Sequence, residues 1–378
     1  MHRVFLIKPS SSTCNMACQY CFYNDESRNR SIKSYGMMSE ETAHTLIDKA
    51  LGNPYDTASF GFQGGEPTLS GLDFYNSFID HAEKYCGRAD YTLQTNGLIL
   101  NKEWALWLKE HDFLVGISLD GSKQFHDHYR KDKNGRGTHN KVFNNAKLLL
   151  STGVKINILV TVTKEIAENA KEVYSLLKRN GFGYLQFIPL LDSINDERGS
   201  REYSLTPESY ADFLIALFRE YHKDLISGNY VSIRYFDNLI FMLLHGYAED
   251  CTMNGRCGSY YTIEADGSVF PCDFYARDEY LLGNINRDDF DKLDMRRKEI
   301  GFIEKSEELD EECRTCHYYP LCRGGCKRER EDFMTGKMQR AYQCTAYKNF
   351  FSKCLPALID IAEREKRVRE SYKNGTCL

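Results

Sequence analysis

Three cysteines fall within eight residues near the start of the chain, Cys14-Asn-Met-Ala-Cys18-Gln-Tyr-Cys21, and the next cysteine is Cys86. This spacing wraps three corners of a [4Fe-4S] cube and leaves the fourth iron without a protein ligand, because cubane clusters are normally held by four thiolates. An iron with a vacant corner can bind and reduce a substrate or cofactor. Eight more cysteines form a second block: Cys251, Cys257, Cys272, Cys313, Cys316, Cys322, Cys326 and Cys344. Eight thiolates are what two fully ligated cubanes require. Only Cys86, Cys354 and Cys377 of the 14 cysteines are then left over, and the chain reads as a three-cluster redox protein.

With 378 residues the chain exceeds one ordinary compact domain, although a barrel-like α/β fold can use more than about 200 residues as one unit. The formal net charge of −5, without a long Lys or Arg block, disfavours a nucleic-acid surface. The apolar run of Val4 to Ile7 is too short for a signal peptide and is interrupted by Lys8, and nothing approaches the ~18 apolar residues of a membrane span. A soluble, cytoplasmic protein without membrane partners is expected. In that reducing compartment cysteines at metal-ligand spacings are ligands rather than disulfides.

From Val4 to about Leu191, β-rich runs alternate with amphipathic helical stretches, the pattern of successive βα units. Strands are expected at Val4 to Ile7, Ser59 to Gln63, Tyr91 to Gln94, Phe113 to Ser118, Lys155 to Val162 and Tyr184 to Pro189. Helices are expected at Glu40 to Leu51 behind an N-cap Ser39, Leu72 to Tyr85, Lys102 to His111, Asn140 to Ser151 and Ala167 to Asn180. Thr206-Pro207 opens a further helix to about Lys223. Six strand–helix units suggest an incomplete (β/α) barrel, and Cys14 to Cys21, Gln63 to Pro67, Gln94 to Gly97 and Ser118 to Gly121 then lie after strand C-termini, where barrels place their chemistry. Later the texture changes to a hairpin around Asp266-Gly267 and densely spaced cysteines, a region poor enough in core residues to need metal for stability. The expected domains are 1–230, a partial barrel; 231–348, a cysteine-rich cluster domain; and 349–378, a helix and charged tail with a frayed end.

The triplet Cys14-x3-Cys18-x2-Cys21, with Tyr20 before its last cysteine, followed by Gln63-Gly64-Gly65-Glu66-Pro67 after the next strand, resembles the signature of radical S-adenosylmethionine (SAM) enzymes. The later block, Cys257-x9-Gly267-x4-Cys272 and then Cys313-x2-Cys316-x5-Cys322-x3-Cys326 with Cys344, resembles the SPASM extension that carries two auxiliary clusters. Longer strings, among them Leu93-Gln94-Thr95-Asn96-Gly97, Arg234-Tyr235-Phe236-Asp237 and Pro271-Cys272-Asp273-Phe274-Tyr275, are similar to the anaerobic sulfatase-maturating enzymes over nearly the whole length.

This resemblance implies an α/β fold with a partial (β/α)6 TIM-like barrel and a C-terminal SPASM domain. It implies three [4Fe-4S] clusters plus SAM, and an oxidoreductase that uses a 5′-deoxyadenosyl radical to remove a Cβ hydrogen from a Cys or Ser of an unfolded or nascent sulfatase peptide, giving Cα-formylglycine. A low-potential donor such as flavodoxin or ferredoxin would supply electrons. Carried over residue by residue, Cys14, Cys18 and Cys21 hold the open-corner cluster. Cys251, Cys257, Cys272 and Cys326 hold one auxiliary cluster, and Cys313, Cys316, Cys322 and Cys344 the other. Tyr20, Gly64, Gly65, Glu66, Ser118, Arg130 and Leu191 fall at cofactor positions, Ser118 and Arg130 toward the SAM carboxylate, where a charge-assisted arginine pair is suitable. Asp273 falls at the position of the base, and Tyr23, Gln63, Arg234, Tyr235 and Asp237 at peptide positions.

Plainer readings stand beside these. The first triplet as a zinc knuckle lacks the histidine that would complete a tetrahedral site, whereas Cys313, Cys316, Cys322 and Cys326 alone would make a zinc ribbon. Asp273 can cap a turn, Arg234 and Asp237 can form a structural salt bridge, and Tyr23 and Gln63 can be barrel-mouth packing. The alternative activity is a SPASM maturase of ribosomally synthesised peptides that forms thioether or carbon crosslinks. Such enzymes often carry an N-terminal leader-binding domain, and with 13 residues before Cys14 sulfatase maturation is the favoured expectation.

Overall fold

The computed structural model describes residues 1–373, so Cys377 and the last residues of the tail lie outside the described residues. In chain order the strands are β1 (His2–Ile7), β2 (Thr57–Phe62), β3 (Ala89–Thr95), β4 (Leu114–Ser118), β5 (Lys155–Val162), β6 (Tyr184–Pro189), β7 (Ser232–Ile233), β8 (Tyr261–Ile263), β9 (Ser268–Phe270) and β10 (Gly283–Asn284). The chain divides into two compact units, Met1–Leu159 with Ser259–Ile303, and Val160–Gly258 with the remainder from Glu304.

In the first unit β1 to β5 lie side by side in sequence order and all parallel, the order that successive βα units produce. On its other side β1 pairs in parallel with β8, placing Phe5 opposite Tyr261 and Ile7 opposite Ile263. The expected turn at Asp266-Gly267 joins β8 to antiparallel β9, with Gly267 at φ 85°, and β10 completes that edge. Register explains the core: Phe5 faces Phe60 across the ladder at 5.4 Å, and Phe60 and Phe62, two residues apart on one face, both meet Phe78 at 5.2 and 5.0 Å. Each such fully buried ring contributes about 1.5–3 kcal/mol. Phe78 is placed by the helix Gly71–Glu83, while the preceding helix Glu40–Leu51 starts where Ser39 Oγ accepts the Thr42 N–H at 3.1 Å.

In the second unit β6 pairs in parallel with β7, and the helices Pro207–Ile226, Arg234–His245 and Cys344–Lys373 bury an aromatic cluster. Phe350 lies 5.7 Å from both Phe218 and Phe236. The helix expected from Ala167 to Asn180 is two helices, Lys164–Glu168 and Ala170–Arg179. Asn169 between them sits at φ −121°, ψ 28°, outside the helical well, and its side-chain amide donates to Glu165 O at 2.8 Å, so a local side-chain bond replaces a helical one.

Candidate active site

The loop after β1 carries Cys14, Cys18 and Cys21, and Cys21 is the residue at which the short helix Phe22–Arg28 begins. Cys14 Sγ accepts the Met16 N–H at 3.4 Å and an N–H of the Asn96 amide at 3.6 Å. Burial pushes the Cys14 thiol up to about 11 and the Cys18 thiol to about 12, the latter partly opposed by the Arg130 charge. Thiols held this high become thiolates only against a strong local positive charge, which a cluster's irons provide. Among the described residues no three His, Cys, Asp or Glu side chains converge as ligands of one ion. A cubane binds each thiolate at a separate corner, so the donor set fits a cluster.

Gly64 and Gly65, at the end of β2, adopt φ 87° and 55°. A Cβ on Gly65 would stand 2.3 Å from Thr13 O, so only glycine lets the segment leading into Cys14 lie against this turn. Glu66 is fully buried, and its carboxylate accepts Thr68 N–H at 3.1 Å, Thr68 Oγ1 at 2.5 Å, Thr95 Oγ1 at 2.7 Å and Asn96 N–H at 2.7 Å. Those bonds tie the β2 turn to the end of β3. Ser118 ends β4 and is half-buried. Just beyond it Asp120 receives Arg130 Nε at 2.6 Å and the Tyr20 hydroxyl, and the guanidinium lies over the Tyr20 ring at 5.3 Å. Burial alone would raise Asp120, yet the Arg130 charge holds its carboxyl below the usual range. Beneath the pair, burial lowers His126 to about 3, and this neutral imidazole accepts the Asp120 N–H through Nδ1 at 3.3 Å.

Tyr23 and Gln63 converge on Asp273. Its Oδ2 accepts the Tyr23 hydroxyl at 3.2 Å and Gln63 Nε2 at 3.1 Å, while Oδ1 lies 3.5 Å from Cys272 Sγ, which also receives the Tyr260 hydroxyl at 2.9 Å. Burial raises the Asp273 carboxyl, with the Cys272 and Tyr23 hydrogen bonds and the Lys8 charge opposing. Lys8 sits 5.4 Å from the centre of the Tyr23 ring. Its ammonium is bonded at 2.5 Å to buried Glu264, which also accepts Arg30 at 2.6 Å and Ser11 Oγ at 2.7 Å.

In the second unit Cys313, Cys316, Cys322 and Cys344 line one small cavity, of about 20 Å³, with Tyr319 and Tyr347. Burial raises the Cys326 thiol well above its ordinary value, and Cys251 and Cys257 are near enough to push it further. Leu191, after β6, lines a separate cavity of about 570 Å³ with Asp192, Arg198 and Tyr342. Arg234 lies 3.6 Å from Asp250, so the salt bridge between Arg234 and Asp237 weighed above is not formed. Asp237 instead accepts the Tyr221 and Ser232 hydroxyls at 2.8 and 2.5 Å, and Tyr235 is half-buried with its ring 6.2 Å from Phe350.

The cysteine-type anaerobic sulfatase-maturating enzyme of Clostridium novyi (strain NT) is 45% identical over 362 residues, covering 95% of this chain and 96% of that protein. This chain belongs to the anaerobic sulfatase-maturating enzymes. The corresponding cysteine-type enzyme of Clostridium perfringens (strain ATCC 13124) is 42% identical, with 96% and 98% coverage. The solved structure "Native anSMEcpe with bound AdoMet and Cp18Cys peptide" superposes with a TM-score of 0.92 at 40% identity, covering 96% of this chain and 99% of that one. Family models for the radical SAM superfamily and for an iron-sulfur cluster-binding domain, SPASM, match residues 9–177 and 251–317. The sulfatase-maturating enzyme is thus a radical SAM oxidoreductase with the TIM-like α/β fold and a C-terminal SPASM domain, as its sequence implies. Asp120, Asn96 and the Lys8, Arg30 and Glu264 group were not found from the sequence. Asp120 lies in the Ser118 to Gly121 stretch, Asn96 in a string that carried the family likeness and Lys8 at the end of the first apolar run, but nothing in the sequence links them to their partners.

Proposed function

We propose that this enzyme oxidises a cysteine side chain of an unfolded or nascent sulfatase peptide to Cα-formylglycine, with Asp273 as the base. The carrying observation is a buried carboxylate that takes hydrogen bonds from Tyr23 and Gln63 beside Cys272, in a chain 45% identical over 95% of its length to a cysteine-type enzyme. When bound, three [4Fe-4S] clusters and SAM supply the one-electron chemistry that takes a hydrogen atom from the substrate Cβ. Cys14, Cys18 and Cys21 would hold the open-corner cluster. Cys313, Cys316, Cys322 and Cys344 would hold one auxiliary cluster, and Cys251, Cys257, Cys272 and Cys326 the other.

The remaining steps fall to protein groups. Besides the Cβ hydrogen, the substrate must lose its thiol proton and one electron, after which water replaces sulfur and sulfide leaves. Asp273 Oδ2 takes that proton: a carboxylate raised by burial is a stronger base than one in water and lies closer in basicity to the thiol it must deprotonate. Tyr23 and Gln63 hold the accepting oxygen in place and are the side chains best sited to meet the peptide. Arg130, aligned by Asp120, would hold the SAM carboxylate through its planar guanidinium, with Ser118 as a second contact. Leu191 would pack on adenine, and Arg234, Tyr235 and Asp237 would act on the peptide side by supporting its binding surface. No helix of the described residues is long and apolar enough to cross a membrane. The enzyme would work in the cytoplasm, where thiols stay reduced, with flavodoxin or ferredoxin as donor.

The test is anaerobic incubation of the reconstituted enzyme with SAM, reductant and peptides containing Cys-x-Pro-x-Arg or Ser-x-Ala-x-Arg, followed by mass spectrometry. Aldehyde from the cysteine peptide supports the assignment. A crosslinked or unchanged peptide overturns it.

A further inference from the structure

Asn96 follows β3 and is buried at 9% exposure, and both ends of its side-chain amide are assigned by their partners. Its Oδ1 accepts the Leu98 backbone N–H at 2.9 Å. That N–H can only donate, so the amide oxygen must face it and the NH2 group must point the other way. There it meets Asn15 Oδ1 at 2.7 Å and Cys14 Sγ at 3.6 Å. The base of this residue is equally fixed. Its backbone N–H donates to Glu66 Oε2 at 2.7 Å, and the preceding Thr95 hydroxyl donates to Glu66 Oε1 at 2.7 Å. Gly97 at φ 72° turns the chain immediately afterwards, its N–H donating to Thr95 Oγ1 at 3.0 Å.

We propose that Asn96 is a positioning residue for the open-corner cluster, whose side-chain N–H···S bond to Cys14 raises the potential at which that cluster accepts an electron. The inference rests on the reading that Cys14 is a cluster ligand. A coordinated thiolate is an acceptor only, so the pair of N–H groups from Met16 and Asn96 suits it better than the neutral thiol. Reduction adds one negative charge, shared with the ligand sulfurs. A dipole whose positive end is aimed at one of those sulfurs stabilises the reduced form more than the oxidised form, and hydrogen bonds to sulfur are an established lever on cluster potentials. Glu66 then acts at one remove, by holding the segment that aims the amide.

The experiment compares the full-length wild type with Asn96→Leu and Asn96→Asp, each reconstituted anaerobically. It reads iron content and a redox titration of the part of the reduced-cluster EPR signal that responds to added SAM. Asp keeps the shape of Asn and an oxygen for Leu98, but presents oxygen instead of N–H to the sulfur. The expected result is wild-type iron content with the midpoint moved to lower potential, further in Asp than in Leu. Unshifted midpoints in both variants overturn the proposal. If only the Leu variant fails to load iron, the Asp midpoint decides in the same way. Loss of iron from both variants also overturns it, leaving Asn96 a purely structural support. A wild-type signal that ignores SAM would instead sink the cluster reading itself, so the two failures are distinguishable.

Discussion

Glu264→Gln should be among the most destabilising single changes in the first unit. Glu264 Oε1 receives Lys8 Nζ at 2.5 Å and Arg30 at 2.6 Å, and the side chains of the three are 2%, 0% and 0% exposed for Lys8, Arg30 and Glu264. Two buried cations thus share one carboxylate. Removing one partner of a buried pair costs about 3–5 kcal/mol, because the charge left behind has no water to return to. Removing Glu264 strands two such charges. Lys8→Met leaves the Arg30 pair intact, so its cost should be about half of that or less. The assay is anaerobic urea unfolding of the reconstituted proteins, comparing midpoints because a metalloprotein need not unfold in two states. At a slope of about 3 kcal/mol/M one stranded charge lowers the midpoint by about 1–1.7 M, so the glutamine variant should unfold at least about 1 M earlier than wild type. The pH dependence has a definite sign. Burial would raise Glu264, but the Lys8 and Arg30 charges overcome it and hold the carboxyl below its ordinary 4.5. A depressed carboxyl stabilises the fold above its unfolded pKa, and that contribution is lost as pH falls through the folded value. The gap between wild type and variant should therefore be full above pH 4.5 and shrink below it. A midpoint within about 0.3 M of wild type near neutral pH, or a Lys8→Met cost as large as that of Glu264→Gln, would refute the charge accounting.

Asp273→Asn should still cleave SAM while peptide oxidation falls by about 10²–10⁴-fold, the usual scale of a lost general base. Full product yield from it would remove Asp273 from that role. Gly65→Ala, whose Cβ would meet Thr13 O at 2.3 Å, should displace the Cys14 segment and abolish the SAM-responsive EPR signal while leaving about two thirds of the iron in the auxiliary clusters. Cys322→Ala should lower iron content and also thermal stability, because it removes one of the four thiols, with Cys313, Cys316 and Cys344, that line one cavity and would be tied together by a cluster. A Tm unchanged alongside lost iron would show that this region does not need the cluster.

The sequence carried what is local. Each expected strand from Val4 to Pro189 appears within two residues of its place, because alternating apolar runs and caps such as Ser39 act over a few positions. The cysteine triplet and the glycine pair were legible for the same reason. Long-range partners were not. Asp120 reads as a loop carboxylate until Arg130 is seen beside it, and Lys8 reads as a polar break after β1 until Glu264, 256 residues away, is seen against it. Asn169 broke a helix whose apolar periodicity continues through it, since a side-chain bond to Glu165 competes locally with the pattern.

The pairing of β1 with β8 sets a timetable. One flank of β1, from Phe5 to Ile7, has no neighbour until Tyr261 to Ile263 have been synthesised, and the Lys8 ammonium waits for Glu264 at the same moment. An open strand edge beside an uncompensated cation is a place where a growing chain can pair wrongly. The first cysteine loop hangs from that strand, so its final shape, and with it the loading of iron, belongs to a late stage of biogenesis, after the ribosome has made residue 264.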